Sequence, residues 1–336
     1  MICVSIAALT GCGSEQDPVA QMRVEVRKSP DSLKARLDLA DAYVETEAYH
    51  DAFIQYSKAY QLDKTSFPAV LGLARAQERL NDVDGAVERV NEALEINPGA
   101  ADALALKGKL LLREGRNKAA IETLEEALQG DPDAEDAHRF LPVAYLRTEQ
   151  PAKAEQAART AAEHLPDSVD VRINLASALL VQDKADEAEA VLRKAMELDP
   201  ADPTPPLRLA ELLVREGRGY DEVMQLTTRS TELDPGQGEA DAVAALALRQ
   251  QGRNDEAIRR LHSAAMAHPR NVRLWLMLSA IYRDMGEEEA AARAAGMAFR
   301  FAPRRRVRSL KDGDEQPGSA ADLPIAQPSP SPAAAD

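Results

Sequence analysis

The stretch "REGRNKA" (Arg113–Ala119), echoed by "RQQGRNDEA" (Arg249–Ala257), decides the fold. Each sets a glycine, Gly115 or Gly252, between two runs of helix-forming residues, and Gly217 and Gly286 occupy equivalent places. Glycine adopts the left-handed conformation that ends a helix. Each stretch therefore reads as a tight turn between two helices. Prolines recur to either side of these turns. Pro98, Pro132, Pro166, Pro200, Pro235, Pro269 and Pro303 are spaced 34, 34, 34, 35, 34 and 34 residues apart. A proline disfavours helical geometry in the residue before it, so each one marks a helix stop.

Small residues keep the same interval. One column reads Ala40, Ala74, Gly108, Pro142, Ala176, Ala210, Ala245, Ser279. A second reads Ala52, Ala86, Ala120, Ala154, Ala188, Val223, Ala257, Ala291, and a third Ala59, Ala93, Ala127, Ala161, Ala195, Ser230, Ala264, Ala298. Small side chains at a crossing let two helices approach closely. Each unit is thus a helix, a turn, a second helix and a proline stop. Such a unit cannot bury its apolar face alone, so units must stack. Leu39, Leu73, Leu141, Leu175, Leu209 and Leu278 read as core between neighbours. The composition agrees, since only 4% of residues are aromatic while alanine and leucine are abundant, which favours helix over strand.

This pattern resembles the tetratricopeptide repeat family. The resemblance covers about 33–305 as eight repeats (33–66, 67–100, 101–134, 135–168, 169–202, 203–237, 238–271 and 272–305), preceded by a half-repeat helix in 18–32. It implies an all-α, right-handed superhelical solenoid of antiparallel helix pairs. Three departures carry expectations. Pro142 lies inside the first helix of repeat four, where an interior proline costs ~3 kcal/mol and predicts a kink. Gly219 in "EGRGYDEV" lengthens one turn, and Val223 and Ser230 replace alanines, so repeat six is expected to pack less tightly. No clear polar capping helix follows repeat eight. The tail 306–336 is rich in proline, alanine and serine and too poor in large apolar residues to order itself. It follows a basic run, "RRRVR" (Arg304–Arg308), able to meet phosphates or an acidic partner, or simply to be solvated.

The formal net charge is −15, which argues against nucleic acid as partner. Cysteine occurs only at Cys3 and Cys12, so the repeats hold no disulfide and no cysteine metal site. His50, His138, His164, His262 and His268 lack metal-ligand spacing. No phosphate loop or nucleophile elbow is present. The expectation is a non-enzyme with no cofactor, no metal and no catalytic residue.

"LTGC" (Leu9–Cys12) is similar to the lipobox of bacterial lipoproteins. That likeness implies a signal peptide over 1–11, lipidation of Cys12 and a short anchored linker over 12–17. The run Met1–Ala8 carries no Lys or Arg, unlike the basic start of a secretory signal. Several acyl chains anchor a protein stably at ~0.8 kcal/mol per buried methylene. Gly13 to Asp17 span at most about 18 Å, which would hold the first helix near the membrane. The absence of aspartate after Cys12 points to the outer membrane facing the periplasm. The alternative is a cytoplasmic protein with a small apolar N-terminus.

Solenoids of this family bind peptides or folded partners on the concave surface lined by the first helix of each repeat. Two residues beyond each core position is a rotation of about 200°, which selects Arg75, Lys109, Val143 and Ser177. Arg79, Arg113, Arg139 and Arg147 lie four residues away on the same face. A basic stripe of this kind suits an acidic peptide segment or a C-terminal carboxylate. The alternative is a set of ordinary solvated cations paired with nearby Glu and Asp. Some relatives hold a terminal carboxylate with a clamp of Lys/Arg and Asn. Arg139, Asn174 and Arg208 match three of its places, while Val143 and Thr204 do not match the other two. Trp275, Leu276 and Ile281 in repeat eight read as core or as a further contact. The expected function is a protein–protein interaction scaffold, a lipoprotein assisting assembly of a pilus, secretion or polysaccharide-export machine. Two alternatives are an adaptor recruiting murein or other envelope enzymes, and a cytosolic co-chaperone-like peptide binder.

Overall fold

The computed structural model describes residues 18–301 apart from Gln237. Cys12 and its lipobox-like surroundings, and the tail after residue 301, lie outside the described residues. Among the described residues there are seventeen α-helices and no strand.

After α1 (Pro18–Lys28) the helices run in pairs: α2 (Leu33–Glu45) with α3 (Tyr49–Leu62), α4 (Phe67–Arg79) with α5 (Val83–Ile96), α6 (Ala101–Arg113) with α7 (Asn117–Gly130), and α8 (Glu135–Arg147) with α9 (Pro151–His164). The series continues with α10 (Val169–Leu180) and α11 (Ala185–Leu198), α12 (Thr204–Arg215) and α13 (Tyr220–Leu233), α14 (Glu239–Gln250) and α15 (Asn254–Ala267), and α16 (Val272–Asp284) and α17 (Glu288–Phe301). The chain forms two compact units, residues 1–144 and 145–336.

The turn within each pair closes as the glycines predict. Arg116 N–H donates to Leu111 O at 2.9 Å and Gly115 N–H to Leu112 O at 3.2 Å, a helix ending that needs a left-handed residue. Gly115 has φ 76°. The same place is left-handed in every pair, yet in four of them it holds a residue with a side chain: Glu47, Asn81, Glu149 and Asp183, at φ 57–63°. The second helices end differently. Asn97, Asp131, Asp199 and Asp234 are extended, as a residue before proline must be. The Asp131 and Asp199 carboxylates then accept from the N–H two residues on, at 3.0 and 2.9 Å. Asp63 makes the same bend without a proline by accepting from Thr65 N–H at 2.9 Å.

Each unit is built around the small-residue columns. Ala52, Ala86, Ala120, Ala154 and Ala188 are fully buried, as are Ala59, Ala93, Ala127, Ala161 and Ala195. The core leucines Leu39, Leu73, Leu141, Leu175, Leu209 and Leu278 are buried too. At Gly72 and Gly108 even a methyl group has no room. A Cβ on Gly72 would stand 2.3 Å from the Tyr56 ring, and one on Gly108 would stand 2.5 Å from Leu124.

Pro142 does not end α8, which continues through it for 13 residues, the length of α2, α4 and α6. The insertion at Gly219 gives the α12–α13 turn four residues, Glu216–Gly219, where Glu114–Arg116 has three. The looser packing expected of repeat six is not seen in its burial. Val223 and Ser230 are buried like the alanines they replace, and the Ser230 hydroxyl donates to Pro203 O at 3.0 Å, which satisfies the polar atom that the swap introduced.

Candidate functional site

The first helix of a pair carries one face toward its own partner and the neighbouring repeats. Side chains on the opposite face are left for solvent or a ligand. In the first unit this face of α4 and α6 holds four of the cations singled out above. Lys109 Nζ lies 2.9 Å from Glu78 Oε2, and Arg113 Nη1 lies 3.0 Å from Glu78 Oε1. Glu78 itself is only 8% exposed, so two cations from the next repeat hold its carboxylate between them. The second guanidinium nitrogen of Arg113 donates to Asn81 Oδ1. Lys109 also stands 5.3 Å from the centre of the Phe140 ring. Arg75 reaches Asp102 at 3.1 Å, with its side chain 45% exposed. Arg79 lies over the Tyr49 ring at 4.8 Å and donates to the Tyr49 hydroxyl at 2.6 Å.

The stripe is therefore neither a row of free cations nor a set of surface pairs alone. Glu78 is the partner the sequence reading missed. Its signal is an acid in a column that reads Val44, Leu112, Leu146, Leu180 and Val214 in the other repeats up to the sixth, and Arg249 and Arg283 in the last two. The Glu78 carboxylate engages both Lys109 and Arg113. Arg75 and Arg79 keep the more open positions.

Arg113 has a second task. Its guanidinium donates to the Glu78 carbonyl oxygen at 3.4 Å, 35 residues back. Arg215 does the same to Leu180 O at 3.3 Å, and the Gln250 amide to Val214 O at 3.1 Å. The last carbonyls of a helix have no partner within it. The turn N–H groups of Asn81, Asp183 and Gly217 already reach these three oxygens, and the side chains add a second donor from the next repeat that binds neighbouring repeats together.

The remaining site residues are placed as follows. Arg139, in the first unit, lies 3.7 Å from Glu135 on its own helix. Arg147 begins the second unit's share, and burial lowers its pKa from the usual guanidinium value. Asn174 is buried. Arg208 is held by the buried Glu211 at 2.8 Å. Trp275 and Ile281 are core residues, and the Trp275 indole N–H donates to Pro269 O at 2.9 Å. Leu276 is half-buried. Among the described residues no group of three or more His, Cys, Asp and Glu is arranged to hold a metal ion, and no helix is long and apolar enough to cross a membrane.

Tetratricopeptide repeat models match residues 71–135, and 111–168, 145–203 and 248–312, together more than half of the chain. The chain belongs to the tetratricopeptide repeat family. No curated protein sequence matches it significantly. Among solved structures, the Cut9–Hcn1 hetero-tetramer of APC/C is similar with a TM-score of 0.63 at 16% identity, over 70% of this chain and 47% of that one. The chain thus spans about half the length of that relative. PilF of Pseudomonas aeruginosa is similar with a TM-score of 0.54 at 20% identity, over 63% of this chain and 96% of that one. These likenesses establish the fold, an all-α stack of tetratricopeptide helix pairs. Proteins of this family are typically non-catalytic scaffolds that bind peptide or protein partners.

Proposed function

We propose that this tetratricopeptide repeat protein is a lipid-anchored scaffold of a bacterial outer membrane. In this reading it faces the periplasm and assists assembly of an envelope machine by holding an acidic segment or C-terminal carboxylate of a partner on the α4–α6 face. The observation that carries the recognition half is Glu78. Lys109 and Arg113 already grip a carboxylate at hydrogen-bonding distance, and Arg75 and Arg79 stand beside them with more of their surface open. Charge-assisted pairing of this kind is strong and directional. Arg139 is proposed as a further contact in the first unit, and Arg147, Asn174 and Arg208 as partner contacts of the second unit considered by itself. The anchoring half rests on "LTGC" and Cys12.

Arg75 and Arg79 are the informative residues to change, because Arg113 also closes a helix end. In fluorescence anisotropy with a peptide of alternating Glu and Leu ending in a free carboxylate, Arg75→Glu with Arg79→Glu should weaken binding by about tenfold or more. Unchanged affinity discards the site. Mass spectrometry of the native protein should find a diacylglyceryl group on Cys12 at the mature N-terminus. A native chain that retains an unmodified Met1 ends the lipoprotein reading.

A further inference from the structure

The last helix pair leaves more exposed three apolar places that the pair before it buries. Ala242 and Leu248 of α14 are buried, as is Ala265 of α15. Thirty-four residues on, the same places hold Leu276, Tyr282 and Phe299. Leu276 and Tyr282 are half-buried, and Phe299 is 37% exposed where Ala265 is fully buried. Larger apolar side chains thus occupy these places where less covers them. Inside the stack this face of a helix pair is covered by the first helix of the next repeat, as α14 packs on both α12 and α13. The geometry asks for a helix.

The sequence beyond does not repeat the helix-pair pattern in register. A further step of 34 residues puts Asp312 in the column of Leu278 and Gly313 in the column of Ser279, with Pro317 soon after. A second copy meeting the same face would bring like charges together. Arg273 and Arg283 lie at the two ends of a stripe on α16, Arg273–Leu276–Ala280–Arg283, spaced as one helix face. Arg300 lies in the last turn of α17 and over the Phe301 ring at 5.8 Å. None of the three has an ion-pair partner among the described residues. In a chain of net charge −15, an apolar face bordered by uncompensated arginines is complementary to a helix bordered by carboxylates.

We propose that the outer face of α16 and α17 docks an amphipathic helix of another polypeptide, with a small-residue and leucine face toward Leu276, Tyr282 and Phe299 and carboxylates toward Arg273, Arg283 and Arg300. This surface is separate from the α4–α6 cluster, and its test is independent of that site. The chain provides a matched probe, the synthetic peptide Glu239–Gln250. Its own helix covers the equivalent face of the pair before it, and it carries Glu239 and Asp241 in its first turn.

Labelled peptide titrated against the full chain should bind, a scrambled peptide should not, and Arg283→Glu with Arg300→Glu should weaken binding by about tenfold. Phe299→Ser should do the same with unchanged far-UV circular dichroism, while Arg75→Glu should leave it unaffected. The proposal fails if the peptide and a version with extra flanking glutamates both fail to bind. It also fails if the chain sediments as a dimer that Phe299→Ser dissociates, or if deleting 306–336 is required before the peptide binds, since a second copy or the chain's own tail would then be the occupant.

Discussion

The backbone at Glu47, Asn81, Glu149 and Asp183 is bent the way glycine bends it elsewhere in the chain. A side chain in the left-handed region costs roughly 1–2 kcal/mol, against about 0.5–1 kcal/mol of extra unfolded-state entropy for glycine. Glu47→Gly and Glu149→Gly should therefore raise stability modestly, by about 0.5–1 kcal/mol each, seen as a higher urea midpoint. Gly115→Ala should lower it by about 1 kcal/mol or more. Gly72→Ala is the harsher change, because the new methyl group would overlap the Tyr56 ring. Overpacking of this kind costs about 1–3 kcal/mol, and Tyr56→Leu in the same chain should recover part of the loss. The Tyr56 hydroxyl donates to the Asp41 carboxylate, and burial, with that bond, pushes the phenol well above its usual range. The sequence made half of this column legible. Glycine announces a left-handed turn, but a glutamate or aspartate there is chosen by the helices on either side, and nothing local reveals it. The cations of the candidate site were equally plain in the sequence. Their buried partner Glu78 was not, because an acid in a column that also holds Arg249 and Arg283 becomes meaningful only when the next repeat brings Lys109 and Arg113 to it.

Helix pairs were readable because the proline stops and small-residue columns keep one interval, and both act locally. The bonds between repeats were not readable, since they depend on which way long side chains lean after packing. Replacing Arg215 by Met keeps the aliphatic stem and removes the donor to Leu180 O. The change should cost about 1 kcal/mol and speed amide exchange in the last turn of α10 more than elsewhere. On the outer side of α9 and α11, Glu155 accepts from Lys184 and Gln182 at 2.7 Å each and from Arg159 at 2.9 Å. The Lys184 hydrogen bond is the main reason its carboxyl falls from the ordinary 4.5 to about 2. A carboxylate depressed in the folded state adds stability above the unfolded value, and that stability is lost as pH falls through the folded one. Lys184→Met should therefore destabilise the protein at neutral pH. The difference from the parent should shrink as pH falls from about 4.5 to about 2, where the parent loses the same contribution. Thermal melts at stepped pH measure both.

A stack whose repeats touch mainly their neighbours has a stability close to a sum of repeat and interface terms. Within the second unit, repeat eight has a neighbour on one side only among the described residues. Amides of α17 should therefore exchange faster than those of α11 or α13, and saturating the α16–α17 face with the Glu239–Gln250 peptide should slow them selectively. Fold class was the part of the whole molecule most open to sequence reading, because repetition multiplies a weak local signal. The proposed anchoring rests on a few residues around Cys12 that take no part in that repetition. The single tryptophan gives the molecule a local optical reporter. Trp275 is packed away from water, and its indole N–H is tied to the Pro269 carbonyl oxygen, so its emission should be short in wavelength and should follow the α16–α17 pair. Denaturation followed by that emission will report the melting of the α16–α17 pair, while ellipticity reports all the helices, seventeen among the described residues. The gap between the two curves measures how far the stack departs from a single cooperative transition.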